Sequence, residues 1–404
     1  MLIDVAAPAQ ELGRYQQTDF FHMSDILSAD ERAIRRLVST FVDDELLPVV
    51  NRHWEEASFP FELVERWARL GLVGGSIQGH GCPGLTPLAE GVIAMQLARG
   101  DGSFGLINSV HSGLNMHVID KLGSEEQKQR WLPDMAACAK LSAFALTEPD
   151  HGSDVVRMST CARRDGDEWV LNGAKRWIGL GTIADLVLVW ARDDETGGVG
   201  CFVIDRSEGE VPGYHATEIT GKTAMRAMLN ADIRLDDVRI PLENRLEHSR
   251  TFADTSRCLT KSRQSIAWDA LGHAVAAYEC ALAYVKRREQ FGKPLAAFQL
   301  VQDKLANMVA DITGMQMMCV RLAQLEAEGR VRLEHAALAK LNTAAGARRV
   351  CAMARDLLGG NGILLDHHVA RHHSDVEAVY TFEGTDTVQA LIVGRAVTGH
   401  SAFA

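Results

Sequence analysis

The spacing of apolar residues divides the chain into a helical part, a strand-rich part and a second helical part. From Ser28 to about residue 140, apolar residues recur every three or four positions, and Asp25 or Ser28 is a candidate helix N-cap. Between about residues 141 and 244, short β-rich runs alternate with turn residues, and Asn172-Gly173 is a hairpin signal. After Arg250 the helical spacing returns, for example at Phe298, Val301, Leu305, Met308 and Ile312.

These changes predict an α+β multidomain protein. We expect an N-terminal all-α domain at residues 1–141, a small antiparallel β domain at 142–252 and a C-terminal helical bundle at 253–404. No helical pattern of about ten residues separates the strands, so a parallel βαβ sheet is disfavoured. Long helices predicted at 258–288, 295–329 and 334–358 favour a bundle with antiparallel members.

Composition and charge narrow the range of functions. With 404 residues and 47% hydrophobic content, the chain can bury large cores in two or three domains. The net charge of −11 and the lack of a basic block disfavour nucleic-acid binding, so any bound phosphate must be held by local donors. The eight cysteines form no CxxC pair, and no secretory, transit or peroxisomal signal or long apolar run is visible. We therefore predict a cytoplasmic protein without a membrane span.

Residues 144–154 form a candidate binding turn where the helical pattern gives way to strands. Pro149 and Gly152 prevent regular structure, so backbone N–H groups are free to bind a ligand there. With the hydroxyls of Thr147 and Ser153, these groups suit a phosphate or the pyrimidine edge of a flavin. An ordinary capped turn explains the same residues equally well.

Two other clusters have simpler explanations than ligand binding. The glycine-rich run at 358–362 does not follow a predicted strand, so it is most simply a helix C-cap with a tight turn. His368 and His372 stand four residues apart on a predicted helix, where a metal pair is conceivable. Because no cysteine or carboxylate triad accompanies these histidines, a polar helix surface is the preferred interpretation and no metal site is predicted.

One carboxylate, Glu383, stands between Phe382 and Gly384 in an apolar stretch. Burial among apolar neighbours would raise its pKa and make it basic enough to accept a proton from carbon. A solvated glutamate at the N-terminus of a helix is the alternative, and the position alone favours that alternative.

Five motifs in this order resemble the acyl-CoA dehydrogenase family: LTEPDHGSD (146–154), LNGAKRWI (171–178), RREQFGKPLAAFQ (287–299), LGGNG (358–362) and FEGT (382–385). The resemblance covers residues 19–403 and is greatest to the glutaryl-CoA dehydrogenase branch and to plant short-chain acyl-CoA oxidases. The oxidases also share GGSIQGHGCPGL (74–85) and FADTSR (252–257). It implies a helical domain, a small β domain and a C-terminal four-helix bundle.

The resemblance implies that FAD is the cofactor, bound without a Rossmann fold. Residues within 144–153 and 177–179 would surround the flavin ring, and a second group would reach the FAD of a neighbouring subunit. This arrangement implies an obligate homo-oligomer, commonly a tetramer. The residues that the family pattern assigns to FAD are Phe144, Leu146, Thr147, Gly152, Ser153, Trp177, Ile178, Gly179, Arg288, Phe291, Gln299, Asp356, Leu357, Leu358, Gly359, Gly360, Thr385 and Thr387.

The resemblance also implies that Glu383 is the catalytic base. It would take the α-proton of an acyl-CoA thioester while flavin N5 takes a hydride from Cβ, giving a trans-2-enoyl thioester. The backbone N–H of Glu383 would help to polarise the thioester carbonyl, and an electron-transfer flavoprotein would accept the electrons. The residues that the family pattern assigns to the substrate are Ser153, Gly105, Leu106, Arg263, Phe382, Gly384 and Phe403.

Three departures from the family pattern change these expectations. Gly105 and Leu106 replace an Arg-Ser pair that holds the distal carboxylate of glutaryl-CoA, which favours a short apolar acyl group. Gly179 replaces a threonine that hydrogen-bonds flavin N5; the plant oxidases share this glycine, so an oxidase using O₂ is an alternative. Phe382 replaces a tyrosine. A glutaryl-CoA-like dehydrogenase, a carrier-protein thioester and a catalytically silent thioester-binding scaffold are further alternatives.

Overall fold

The computed structural model describes residues 18–402, which form a helical domain, a β domain and a second helical domain in that order. The predicted fold class is confirmed. Helix α1 begins at Ser28, whose hydroxyl accepts a hydrogen bond from the Glu31 N–H while the Glu31 carboxylate accepts one from the Ser28 N–H. This reciprocal capping selects Ser28 over Asp25 as the N-cap.

The N-terminal domain consists of helices joined by short turns. Two segments are π-helical, at Val42–Leu46 and Ile107–Met116, and a two-strand hairpin joins α3 to α4. The elements are α1 Ala29–Phe41, α2 Leu47–Glu56, α3 Val64–Ala68, β1 Gln78–Gly79, β2 Cys82–Pro83, α4 Pro87–Gly100, α5 Gly102–Leu106, α6 His117–Leu122 and α7 Glu125–Ala136.

The middle domain is a seven-stranded sheet of order β3-β6-β4-β5-β9-β8, with β7 paired to β6. Its strands are β3 Ser142–Ala145, β4 Cys161–Asp165, β5 Glu168–Gly179, β6 Leu186–Asp193, β7 Val199–Asp205, β8 Tyr214–Glu218 and β9 Asn230–Pro241. Most pairings are antiparallel, as expected, but β6 runs parallel to β3 and to β4. These parallel pairs were not predicted, because strands and turns connect the parallel strands here, where a helix usually makes such a connection.

The predicted hairpin turn at Asn172-Gly173 is wrong. The chain instead reverses between Asp165 and Glu168, which pair directly, and Asn172-Gly173 lies inside β5 at a register shift. A Cβ at Gly173 would lie 2.5 Å from the Thr160 hydroxyl oxygen. Glycine is therefore needed there for the close approach of Thr160, which precedes β4, rather than for a turn.

The C-terminal domain contains three long helices and two shorter ones. These are α8 Phe252–Arg287, α9 Gln299–Ala327, α10 Leu333–Leu357, α11 Val369–Thr381 and α12 Asp386–Thr398, with a hairpin of β10 Glu289–Gln290 and β11 Lys293–Pro294 between α8 and α9. Met308 and Ile312 are fully buried on α9, whereas Phe298 is its N-cap. As predicted for the glycine-rich run, α10 ends just before Gly359, which has φ +57°.

The three domains meet around helix α11. The Asp375 carboxylate accepts hydrogen bonds from Trp54 Nε1 at 2.9 Å and from the Met225 N–H at 2.6 Å, so it joins all three. One turn earlier, Arg371 forms a fully buried ion pair with Asp101 at 2.8 Å. Helix α11 is therefore held firmly where it leads into Glu383. In the part of the chain from 18 to 402, no helix is both long and apolar enough to cross a membrane.

Candidate active site

Glu383 lies in the tight turn between α11 and α12. It has φ +56°, a left-handed conformation that costs a residue with a side chain roughly 1–3 kcal/mol, and the following Gly384 has φ +88°. Helix α12 then begins at Thr385, whose hydroxyl accepts a hydrogen bond from the Val388 N–H at 3.3 Å. Strain of this kind persists only where surrounding contacts enforce it.

Three side chains enforce this turn through its carbonyl groups. Gln389 Nε2 donates to the Glu383 oxygen at 2.8 Å and to the Gly384 oxygen at 3.0 Å. Lys340 Nζ donates to the Gly384 oxygen at 2.8 Å, and Arg263 Nε donates to the Glu383 oxygen at 3.2 Å. Lys340 and Gln389 are fully buried, so the turn that carries Glu383 has a rigid support.

The Glu383 carboxylate is withdrawn from solvent. Its Oε2 atom is buried and has no hydrogen-bond partner within residues 18–402. Burial raises the pKa of Glu383, against a hydrogen bond from Ser262 and the charges of Arg263 and Lys340, which lower it. This buried environment suits a general base. The other possibility given by the sequence, a solvated glutamate at the N-terminus of a helix, is therefore wrong.

The turn at 144–153 is anchored by a buried ion pair. Lys175 Nζ lies 2.9 Å from Glu148 Oε1 and donates to the Leu146 oxygen at 2.9 Å. Burial opposes ionisation, yet the charge of Lys175 and hydrogen bonds from residues 159 and 160 lower the pKa of Glu148 to about 2. The Arg176 N–H donates to the Thr147 oxygen at 2.8 Å, which joins this turn to the segment 177–179.

Segment 177–179 presents one aromatic side chain to solvent. Trp177 is 52% exposed and has φ +65°, while Ile178 is buried. A Cβ on Gly179 would lie 3.4 Å from the sulfur of Met228. Lys222 fixes this methionine by donating to its carbonyl oxygen, and also donates to the Met225 oxygen at 2.9 Å.

Arg288 and residues 356–360, which were predicted to reach the FAD of a neighbouring subunit, line a separate cleft at the ends of α8 and α10. The cleft has a volume of about 420 Å³, and its lining includes Arg288, Gln290 and the run 356–361. At Gly359 and Gly360 an added Cβ would meet nothing within 4 Å, so the backbone there is accessible to a ligand. An exposed indole, a turn with free backbone groups and a cleft with one arginine fit the ring and the phosphates of FAD.

The structure places the other predicted residues as follows. Phe291 is 94% exposed beside the cleft, while Gln299 and Thr387 are exposed at the first turns of α9 and α12. Leu106 is half-buried on α5, and a Cβ on the neighbouring Gly105 would point at the Ala98 backbone nitrogen, 3.4 Å away. The remaining predicted cofactor and substrate residues lie in the turns, segment and cleft just described, except Phe403, which lies outside the described residues.

The clustered histidines are not a polar helix surface. His372 is buried, and its Nδ1 lies 2.9 Å from Nδ1 of His273 on α8. Among residues 18–402, no group of three or more His, Cys, Asp or Glu side chains is arranged to hold a metal ion.

Four residues that support Glu383 and the segment 177–179 were not predicted from the sequence: Lys340, Gln389, Ser262 and Lys222. One signal for Lys340 was available, because Ala336, Lys340, Thr343 and Ala347 follow the spacing of a buried helix face. A lysine at such a position must find buried acceptors. Nothing comparable marks Gln389, because its carbonyl partners are backbone groups.

Three family models match the chain in the order of its domains. They are the acyl-CoA dehydrogenase N-terminal domain at residues 28–139, middle domain at 143–238 and C-terminal domain at 252–398. The mitochondrial short-chain specific acyl-CoA dehydrogenase of Bos taurus is 33% identical over 91% of this chain and 90% of the bovine protein.

Solved structures agree in fold over nearly the whole chain. A glutaryl-CoA dehydrogenase from Mycobacterium smegmatis in complex with FADH₂ has 39% identity and a TM-score of 0.92, covering 95% of this chain and 98% of that one. Butyryl-CoA dehydrogenase from Megasphaera elsdenii has 30% identity and a TM-score of 0.87, covering 92% and 98% respectively.

Proposed function

The chain belongs to the acyl-CoA dehydrogenase family, and we propose that it oxidises a short-chain acyl-CoA to the trans-2-enoyl-CoA. The family consists of FAD-dependent oxidoreductases. The observation that carries the proposal is the buried Glu383 carboxylate with its unpartnered Oε2 atom. A buried carboxylate held on a rigid turn is suited to accept a proton from the α-carbon of a thioester.

In this mechanism the chain positions the acyl group and receives its α-proton. Glu383 Oε2 takes the proton, and the Glu383 N–H helps to polarise the thioester carbonyl, which makes the α-carbon more acidic. Arg263 and Gln389 hold the Glu383 carbonyl group, so the N–H and the carboxylate keep fixed directions. The flavin, when bound, supplies the acceptor for the hydride that leaves Cβ.

We propose that FAD is shared between two copies of the chain. The turn at 144–153 and segment 177–179 would hold the flavin ring, and the cleft with Arg288 and residues 356–360 would hold the FAD of a neighbouring copy. Exposed apolar side chains near this cleft support a covered surface: Phe291 is 94%, Leu300 79% and Ile363 70% exposed. A homo-oligomer, commonly a tetramer in this family, is the expected assembly.

The acyl group proposed is short and apolar. The glutaryl-CoA enzymes hold a distal carboxylate with an Arg-Ser pair, for which this chain has Gly105 and Leu106. A Cβ at Gly105 would make an ordinary contact with the Ala98 backbone nitrogen at 3.4 Å, so what this position lacks is the charged partner and not the space for a side chain. The absence of a bidentate carboxylate partner favours a butyryl-like group over a glutaryl group. Carrier-protein thioesters share the same reacting atoms and stay an alternative.

We propose an electron-transfer flavoprotein as the acceptor, with O₂ as the second candidate. The observation that favours O₂ is Gly179, which leaves no side chain between the flavin-side segment and Met228. The eight cysteines are all free, and burial raises the pKa of every one of these thiols, which fits a reducing compartment such as the cytoplasm.

The test is flavin bleaching without oxygen. The purified holoenzyme is mixed anaerobically with butyryl-, glutaryl- and octanoyl-CoA, and the loss of oxidised-flavin absorbance is followed. We expect the fastest bleaching with butyryl-CoA. No bleaching with any of the three would reject the proposed acyl-CoA oxidation and leave the carrier-protein thioester and the silent scaffold. Aerobic turnover without added acceptor then separates the acceptors, because fast peroxide production would reject the pure dehydrogenase.

A further inference from the structure

A single buried lysine on α10 reaches both sides of the base. Lys340 has no exposed surface, and its Nζ atom donates to the Tyr380 oxygen at 2.9 Å and to the Gly384 oxygen at 2.8 Å. The first acceptor belongs to the last turn of α11, and the second follows the base directly. The ammonium group therefore links the end of one helix to the turn that carries Glu383.

This contact meets two needs of the turn. A carbonyl in the last turn of a helix has no partner within that helix, and a buried carbonyl without a partner is unfavourable. The left-handed pair Glu383 and Gly384, with φ +56° and +88°, also needs external contacts to persist. Gln389 supplies two further hydrogen bonds to the same turn, but it supplies no charge.

The charge of Lys340 acts on the base as well. The ionisable groups around it are Glu383 itself, Asp386 at the start of α12 and Arg263 on α8. Burial lowers the pKa of Lys340 to about 8, and the two carboxylates oppose this effect. From α8, Arg263 and the Ser262 hydroxyl also face the Glu383 carboxylate. With Arg263, Lys340 offsets the burial that favours the protonated, inactive base.

We propose that Lys340 is a positioning residue for the base, whose ammonium group fixes the Glu383 turn and whose charge keeps the Glu383 carboxylate ionised. The proposal rests on the proposed function, since it assigns to Glu383 the role of base. Lys340 therefore contributes in two ways. It restrains the turn, as Gln389 also does, and, unlike Gln389, it changes the protonation of the Glu383 carboxylate.

The experiment compares Lys340→Met with Gln389→Leu. Both variants lose hydrogen bonds to the turn, but only the first loses a charge. FAD content and melting temperature are measured first, and then the rate of anaerobic flavin bleaching by butyryl-CoA is measured from pH 5 to 9. We expect both variants to bleach about 10- to 100-fold more slowly at the optimum, because small misplacements of a reacting group have effects of this size.

Only Lys340→Met is expected to move the acid limb of the profile to higher pH. Loss of a positive charge raises the pKa of Glu383, so the base stays protonated to a higher pH. An unmoved acid limb in Lys340→Met, or an equal movement in Gln389→Leu, would overturn the inference. Lys340→Gln, a neutral hydrogen-bond donor, replaces Lys340→Met if that variant does not retain FAD.

The wild-type enzyme provides the reference for both Lys340 variants. Its acid limb reports the pKa of Glu383 with the Lys340 charge in place, and it is expected to lie at lower pH than the acid limb of Lys340→Met or Lys340→Gln, which both lack the charge. An acid limb that coincides in the wild type and in the variant that retains FAD contradicts the inference. A wild-type enzyme that no acyl-CoA bleaches would instead reject the proposed function, so the two failures are distinguishable.

Discussion

Removal of the buried Lys175 tests how the flavin-side turn is held. Lys175 lies on β5, and its side chain reaches the turn at 144–153, where it pairs with Glu148 at 2.9 Å and has no exposed surface. Lys175→Met leaves the Glu148 carboxylate buried without its cation. Breaking a buried ion pair from one side typically costs about 3–5 kcal/mol. Glu148 keeps hydrogen bonds from Ser159 and Thr160, so we expect a loss near the lower value, about 3 kcal/mol.

The assay is urea unfolding of the purified protein, followed by tryptophan fluorescence and by release of FAD. The matched control is Arg234→Met, which breaks an exposed ion pair to Asp236 in the same sheet and should cost less than about 1 kcal/mol. Adding Glu148→Gln to Lys175→Met should recover part of the loss, because the uncompensated charge is removed. Equal losses in Lys175→Met and in the control would refute the reasoning.

The pH dependence gives the same prediction a second test. The pKa of Glu148 in the folded protein, about 2, lies below its ordinary value of 4.5. Because burial lowers the pKa of Lys175 to about 8, both partners are ionised between about pH 4.5 and 8. The stability that the Glu148 carboxylate contributes through the pair is lost as the pH falls from about 4.5 toward 2. The difference between wild type and Lys175→Met should narrow over this range, and a constant difference would contradict this origin of the stability.

Three further substitutions address the acceptor, the cofactor and the turn. Gly179→Thr should slow reoxidation of the reduced flavin by O₂ about tenfold, because the added side chain fills the space toward the Met228 sulfur, 3.4 Å from the new Cβ. Unchanged reoxidation in a stopped-flow measurement would reject this role of Gly179. Arg288→Ala should weaken retention of FAD about 10- to 100-fold in equilibrium dialysis, the effect of one charged hydrogen bond, and undiminished retention would remove Arg288 from the site. Gly384→Ala should lower the free energy of unfolding by about 1–3 kcal/mol, because φ at Gly384 is +88° and the new Cβ would lie 2.5 Å from Gln389 Nε2. Thermal unfolding measures this loss, and an unchanged stability in Gly384→Ala would show that the turn is not strained.

Features set by local sequence could be predicted well. Ser28 and Glu31 are three residues apart, so the capping box that begins α1 is visible in the sequence. The end of α10 at the left-handed Gly359 and the buried face of α9 have equally local signals. The order of helices, strands and helices followed from the same kind of evidence.

Features that depend on distant neighbours could not be predicted from spacing. Asn172-Gly173 has the sequence of a hairpin turn, but it lies at a register shift within β5, where Thr160 from the segment before β4 approaches the backbone. Lys340 lies 44 residues from Gly384, so its hydrogen bond to the base turn has no local sequence signal. For Glu383, the position alone favoured a solvated glutamate, and only tertiary packing withdraws the carboxylate from water.

The most direct test of the account is the rate at which butyryl-CoA bleaches the bound flavin of Glu383→Gln under anaerobic conditions. The control is Glu377→Gln, which changes an exposed carboxylate on α11 that pairs with Arg348 at 2.8 Å. We predict that Glu383→Gln retains FAD and the wild-type melting temperature but bleaches about 10²- to 10⁴-fold more slowly, while the control bleaches at the wild-type rate. A wild-type bleaching rate in Glu383→Gln would contradict the assignment of Glu383 as the base.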